Sequence, residues 1–152
     1  MAEKSFVKEC LPRGVLMKDH SVLLVNKIGE PHHFLPGGRL NPGESLQHGL
    51  LREIREELNL PCQIKDYVGA IEHCFEDDMK VQYEVSHFFI IDIPSMELSK
   101  EPQSAEKELK FCWTKISDLD ALDIRPPPVR NLLKALAAGQ KQPFWASTMM
   151  TK

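Results

Sequence analysis

Leu35-Pro36-Gly37-Gly38-Arg39-Leu40-Asn41-Pro42-Gly43-Glu44 runs directly into Ser45 to Leu60, and this stretch decides how the chain is read. Leu46, Leu50, Ile54 and Leu58 recur every four residues, with Leu51 beside them. That spacing predicts an amphipathic helix over Ser45 to Leu58 with one core-facing stripe. Glu53, Glu56 and Glu57 stand at i, i+3 and i+4, so they share a face beside the stripe. Three neighbouring carboxylates repel one another, and Arg52 and Arg55 compensate only in part. Two readings follow: a solvated face laced with Glu–Arg pairs, or an oxygen-only site for a hard cation such as Mg²⁺ or Mn²⁺. Gly49 falls on the same face one turn earlier. A helical glycine costs about 1 kcal/mol relative to alanine, so its presence implies that something must fit there. Asn59 suits the left-handed residue that closes a helix, Leu60 can fold back on the last turn, and Pro61 stops continuation. Gly37, Gly38 and Gly43 let the preceding loop approach a ligand closely. Gly38 to Glu57 thus reads as a loop–helix unit able to hold a metal ion against a phosphate.

Outward from this unit the pattern is mixed. Ser21 to Val25, Gln63 to Phe75 and Val81 to Ile93 read as strands, the last two joined as a hairpin through Asp77-Asp78. Phe6-Val7 and Val15 to Met17 read as weaker strands around Pro12 and Gly14, and Phe111 to Thr114 as a short one. Pro94 to Glu108 is a long surface loop, and Pro126-Pro127-Pro128 opens a final helix from Pro127 to Ala138. Strands with two interspersed helices predict an α+β sandwich with a mixed sheet between helices. No repeat or linker divides the chain, so residues 1–152 are expected to form a single domain. Its core spans about residues 5–138, followed by a tail over residues 139–152.

The chain has 152 residues, 42% hydrophobic and 27% charged, enough for a continuous core and incompatible with disorder as the dominant state. With 19 Lys+Arg against 22 Asp+Glu the net charge is −3. That balance argues against nucleic-acid binding by bulk charge. The longest strongly apolar run, Phe88 to Ile91, is far below the roughly 20 residues of a membrane span. Met1 to Lys4 lacks the basic and apolar regions of a secretory signal. Cys10, Cys62, Cys74 and Cys112 are scattered, which predicts buried free thiols and a reducing, cytoplasmic location.

The central stretch resembles the Nudix box, G-x5-E-x7-R-E-U-x-E-E-x-G-U with U apolar. Gly38, Glu44 and the run Arg52-Glu53-Ile54-Arg55-Glu56-Glu57-Leu58-Asn59-Leu60 match eight of nine specified positions, the departure being Asn59 where the family has Gly. An apolar strand before Pro36, the Tyr83-Glu84-Val85 strand and an acidic loop before Trp113 extend the resemblance over roughly residues 5–138. The resemblance implies an α/β/α sandwich that hydrolyses a nucleoside diphosphate linked to a group X, using Mg²⁺, with Mn²⁺ as a substitute. It implies that Glu53, Glu56 and Glu57 are catalytic metal-binding carboxylates, that the Gly38 carbonyl is a further ligand, and that Glu44 and Arg52 support them. The general base is then either a box glutamate or a distant loop acid, for which Glu106 and Glu108 are the candidates; the plain alternative is solvated loop acids. Lys27 and Arg39 are candidate phosphate contacts, against ordinary surface cations. His32 and His33 read as loop residues near substrate. Phe144-Trp145 is odd in a polar tail; it either folds back over the domain or packs on a second subunit in a homodimer. The expected partner is a small nucleotide or nucleoside diphosphate derivative, with no membrane and no nucleic acid other than a capped RNA end. The competing reading is a nucleotide-binding or regulatory module of this fold without hydrolysis.

Overall fold

The computed structural model describes residues 5–149. Residues 1–4, read above for a secretory signal, and residues 150–152 of the tail lie outside the described residues. In chain order the elements are β1 (Ser5–Val15), β2 (Met17–Lys18), β3 (Ser21–Lys27), β4 (His32–Phe34), α1 (Leu46–Leu58), β5 (Gln63–Asp77) and β6 (Lys80–Asp92). There follow β7 (Leu109–Lys115), a short 3-10 helix (Ile116–Ala121), β8 (Asp123–Ile124), α2 (Val129–Ala137) and β9 (Phe144–Ser147).

The run Val22-Leu23-Leu24-Val25 is buried on both faces of β3, and its alternation sets out the layers. Val22 and Leu24 join Phe88, Ile71, Leu132 and Leu133 in one core, covered by α2 and the 3-10 helix. Leu23 and Val25 join Leu50, Ile54, Leu58, Phe89 and Ile91 in a second core, covered by α1. Helix, strands, helix is the predicted sandwich. Truncating the fully buried Ile54 to Ala would leave a cavity costing about 2–5 kcal/mol. The central layer consists of two mixed sheets, β1-β6-β5-β9 and β2-β3-β4-β8 with β7 also on β3. β1–β6, β5–β9 and β4–β8 are parallel and the remaining pairs antiparallel.

Several sequence expectations need correction. The two weak strands around Pro12 are one strand, β1, paired with β6 along its whole length. Pro12 is tolerated because β1 is an edge strand. Gly14, two residues on, donates its N–H to Pro36 O at 2.8 Å, so the missing N–H of Pro12 also faces away from β6. α2 starts at Val129 rather than Pro127, with Pro128 as its cap. His32 and His33 lie in β4 rather than in a loop. The thiols are free but not buried: Cys10 is exposed and the other three are half-buried. The hairpin turns at Asp78-Met79, with φ of 44° and 67°, the left-handed pair a two-residue hairpin requires. The tail folds back, β9 adding to β5 with Phe144 against the core. Gly69 admits it: a Cβ there would collide with the Phe144 backbone. Among the described residues no helix is long and apolar enough to cross a membrane.

The face of the first sheet that carries Val15, Phe88 and Ile71 into the core continues outward as Arg13, Glu84, Ser86, His73 and Phe75. These side chains line an open cleft of about 910 Å³, closed on the other side by β4 and Arg125-Pro126-Pro127.

Candidate active site

α1 fixes the acidic residues in space. Ser45 caps it by accepting the His48 N–H at 3.1 Å. Asn59 ends it at φ 53°, ψ 38°, its N–H donating to Arg55 O at 2.8 Å. What fits against Gly49, as its place in the helix implied, is the loop: a Cβ there would collide with Leu40 Cδ2 and lie 3.1 Å from Glu44 Oε1. The absent side chain makes room for the loop and for Glu44. Gly38 serves the acids directly, since a Cβ there would lie 2.8 Å from the Glu53 carboxyl carbon.

Arg52 gathers the acids. Its Nε and one terminal nitrogen grip Glu44 bidentately, both at 2.8 Å, and that second nitrogen also donates to Arg39 O at 2.8 Å. The remaining nitrogen reaches Glu53 at 3.1 Å and Glu56 at 3.2 Å. Such forks fix carboxylate orientation and leave further lone pairs available. The Arg52 fork, assisted by the Asn41 N–H, depresses the Glu44 carboxyl to about 2, and the acids raise the Arg52 pKa.

Glu57 is unlike the others. It is 5% exposed, and its Oε2 is buried with no hydrogen-bond partner among the described residues. Burial first, then the negative Glu53, pushes its carboxyl up to about 8 against the opposing pull of Arg13; Glu106 adds to the rise. The loop before β7 is pinned over this helix end by the Ala105 N–H donating to Glu57 O at 2.7 Å. That bond brings the half-buried Glu106 in; burial, then Glu108, Glu53 and Glu56, raise its carboxyl. Glu108 is exposed and enters the cluster only through Glu106. Among the described residues no three His, Cys, Asp or Glu side chains form a ready-made metal cage, because Glu53 and Glu56 turn onto Arg52. The donor set nevertheless fits a hard divalent cation. It is all oxygen, and one buried oxygen, Glu57 Oε2, lacks the partner that a buried acceptor requires.

Lys27, Arg39 and Gly38 all line the cleft, so the two candidate phosphate contacts and the loop meet there. Arg39 is held at 3.1 Å from Glu9. His32 also lines it, while His33 Nδ1 is buried without a partner among the described residues. Sequence reasoning missed Arg13, Glu84, His73 and Arg125. Arg13 donates to Leu35 O at 3.1 Å, lies over Phe34 at 5.6 Å and faces Glu57, Glu84 and Glu53 electrostatically. Burial lowers its pKa but leaves a cation between the acids and the cleft. Burial, partly offset by Arg13, raises the Glu84 carboxyl. The alternation Glu9, Leu11, Arg13, Val15 was the available signal for Arg13, hidden while β1 was read as two pieces.

A model described as NUDIX domain matches residues 12–136. The chain is 30% identical over 98 residues to an ADP-ribose pyrophosphatase of Methanocaldococcus jannaschii, a match covering 62% of this chain and 57% of that protein's length. Among solved structures, a MutT protein from Methanosarcina mazei superposes with a TM-score of 0.66 at 19% identity, covering 93% of this chain and 100% of the other. A NUDIX hydrolase from Nitrosomonas europaea does so with a TM-score of 0.66 at 19% identity, covering 91% and 94%. At such identities the structural likeness speaks for the fold alone.

Proposed function

The chain belongs to the Nudix family, and on that premise we propose that it hydrolyses a phosphoanhydride bond of a nucleoside diphosphate linked to a further group, using a divalent cation. Nudix hydrolases generally use divalent metals and act on small nucleotide derivatives. The observation that carries the proposal is the unpartnered, buried Glu57 Oε2 beside Glu53 and Glu106, with the Gly38 loop pressed onto Glu53. Glu53, Glu56, Glu57 and the Gly38 carbonyl are the groups that would hold the cation. When bound, it neutralises phosphate charge and eases loss of a proton from water.

The protein's own residues have distinct tasks. Arg52 and Glu44 hold the carboxylates in register. Arg13, Lys27 and Arg39 bring positive charge to the cleft for the diphosphate. Water attacks phosphorus, the anhydride P–O bond breaks, and the proton of the water passes to a carboxylate. Glu106 is the preferred distant acceptor over Glu108, because it is half-buried and electrostatically joined to Glu53 and Glu56. We read residues 1–152 as one domain acting in the cytoplasm, and ADP-ribose-like compounds as the first substrates to test, given the name of the archaeal relative.

The experiment is a hydrolysis screen, read by chromatographic separation of the nucleotide and phosphate-ester products, over ADP-ribose, ordinary and oxidised nucleoside triphosphates, dinucleoside polyphosphates and capped RNA. Turnover is expected with Mg²⁺ or Mn²⁺, with Zn²⁺ and Ca²⁺ poor substitutes. Full activity after exhaustive chelation would reject the metal reading. No turnover of any compound with either metal would favour a binding module of the same fold.

A further inference from the structure

The tail does more than complete a sheet. Beyond β9, Thr148 continues the ladder, its N–H donating to Glu72 O at 3.1 Å and its Oγ1 accepting the Cys74 N–H at 3.3 Å. The same Oγ1 lies 2.9 Å from His73 Nδ1. A hydroxyl has one proton to donate. With Cys74 N–H already donating to Oγ1, that proton has His73 Nδ1 as its nearest acceptor, at 2.9 Å. In that arrangement Nδ1 accepts and the ring proton sits on Nε2. Burial, then Arg125, lowers the His73 pKa, which favours the neutral ring.

His73 lines the cleft, so its Nε2–H is the ring's remaining donor there. Phe75, two residues on and on the same face, stacks on it with centroids 5.2 Å apart and planes at 24°. Directly across the ladder from His73 is Glu84, which lines the same cleft. Cross-strand partners have Cβ atoms about 5 Å apart. A fixed donor therefore stands beside a carboxylate acceptor.

We propose that Thr148 is a positioning residue that locks His73 as an Nε2–H donor, and that His73 reads a hydrogen-bond acceptor on the planar heterocycle attached to the diphosphate. The acceptor is a carbonyl oxygen or ring nitrogen, and the adjacent Glu84 receives a neighbouring N–H of the same ring. The proposal rests on the cleft being the nucleotide site.

The test is histidine-detected ¹⁵N NMR, which reads the tautomer without any substrate. The wild type should show the Nε2–H form at His73. Thr148→Val should give a tautomer mixture, with Thr148→Ala as a second variant, and Thr148→Ser should restore the single form. An Nδ1–H ring in the wild type, or no change in either hydroxyl-free variant, overturns the positioning role. ADP, GDP and UDP are then added singly with Mg²⁺. His73 ring signals and the Gly38 amide should shift together with at least one of them, with affinity about tenfold weaker in Thr148→Val. A responding Gly38 beside a silent His73 overturns the recognition role and leaves the hydrolase reading standing. Silence of both with all three nucleotides overturns both.

Discussion

Replacing Glu57 by Gln keeps the shape of the side chain and removes its titration. In the folded protein the Glu57 carboxyl is pushed from 4.5 up to about 8, chiefly by burial. Between these values the unfolded chain has released the proton and the folded chain still holds it. Stability therefore falls as pH rises, by about 1.4 kcal/mol per unit. This contribution is fully present below pH 4.5 and lost by about pH 8, at most ~5 kcal/mol across the window. The Gln amide is itself buried without an assured partner, at a cost of about 1–3 kcal/mol. In chelator, Glu57→Gln should thus exceed the wild type by about 2–4 kcal/mol at pH 8.5 and show no advantage at pH 4. Urea unfolding at pH 4, 6 and 8.5 measures this, and the difference between the two proteins cancels the other titrating groups. With Mg²⁺ the wild type should gain stability and the variant gain less, because a ligand of the folded state stabilises by mass action. Turnover should fall about 10²-fold or more, at least ~2.7 kcal/mol of transition-state stabilisation. A difference that does not grow with pH refutes the buried-charge argument. Near-normal turnover in the variant refutes the catalytic assignment of α1.

Gly38→Ala should fold normally, within about 1 kcal/mol by thermal denaturation, because the atoms nearest its Cβ are the carboxyl end of the Glu53 side chain, which can shift without moving backbone. Its activity should nevertheless fall at least about tenfold, since the displaced group is the Glu53 carboxylate. Asn59→Gly should leave turnover unchanged and stability equal or higher by a few tenths of a kcal/mol, because φ of 53° already suits both residues; a loss of several kcal/mol in urea unfolding would contradict this. Arg52→Lys replaces a five-donor fork by a point charge. Turnover should drop about tenfold or more with the circular dichroism spectrum retained, and the Glu44 carboxyl, followed by ¹³C NMR, should titrate well above about 2.

What sequence determined about this protein is local. α1, its Ser45 and Asn59 ends, and the shared face of Glu53, Glu56 and Glu57 were legible because helical periodicity and capping are set within a few turns of one contiguous segment. The β5–β6 hairpin was legible for the same reason, its partners being joined by a two-residue turn. The alternating burial of β3 between two helical layers followed from a short, continuously apolar run. Tertiary structure alone decided the remainder. Pro12 is harmless only because β1 lies at a sheet edge, which depends on a partner strand far along the chain. That Leu40 and Glu44 are what fits against Gly49 follows only from the loop's path. Arg13, His73 and Glu84 reach one cleft because β1, β5 and β6 are neighbours in a sheet whose order differs from chain order. Among the three α1 carboxylates, identical in chemistry, the step of about 100° from Glu56 to Glu57 turns Glu57 toward the side of Leu50 and Ile54, and the loop carrying Ala105 is pinned over that helix end while Glu56 stays half exposed. Periodicity fixes the direction in which a side chain leaves its own backbone; desolvation and charge depend on what other segments bring against it, and a carboxylate's pKa follows from those neighbours.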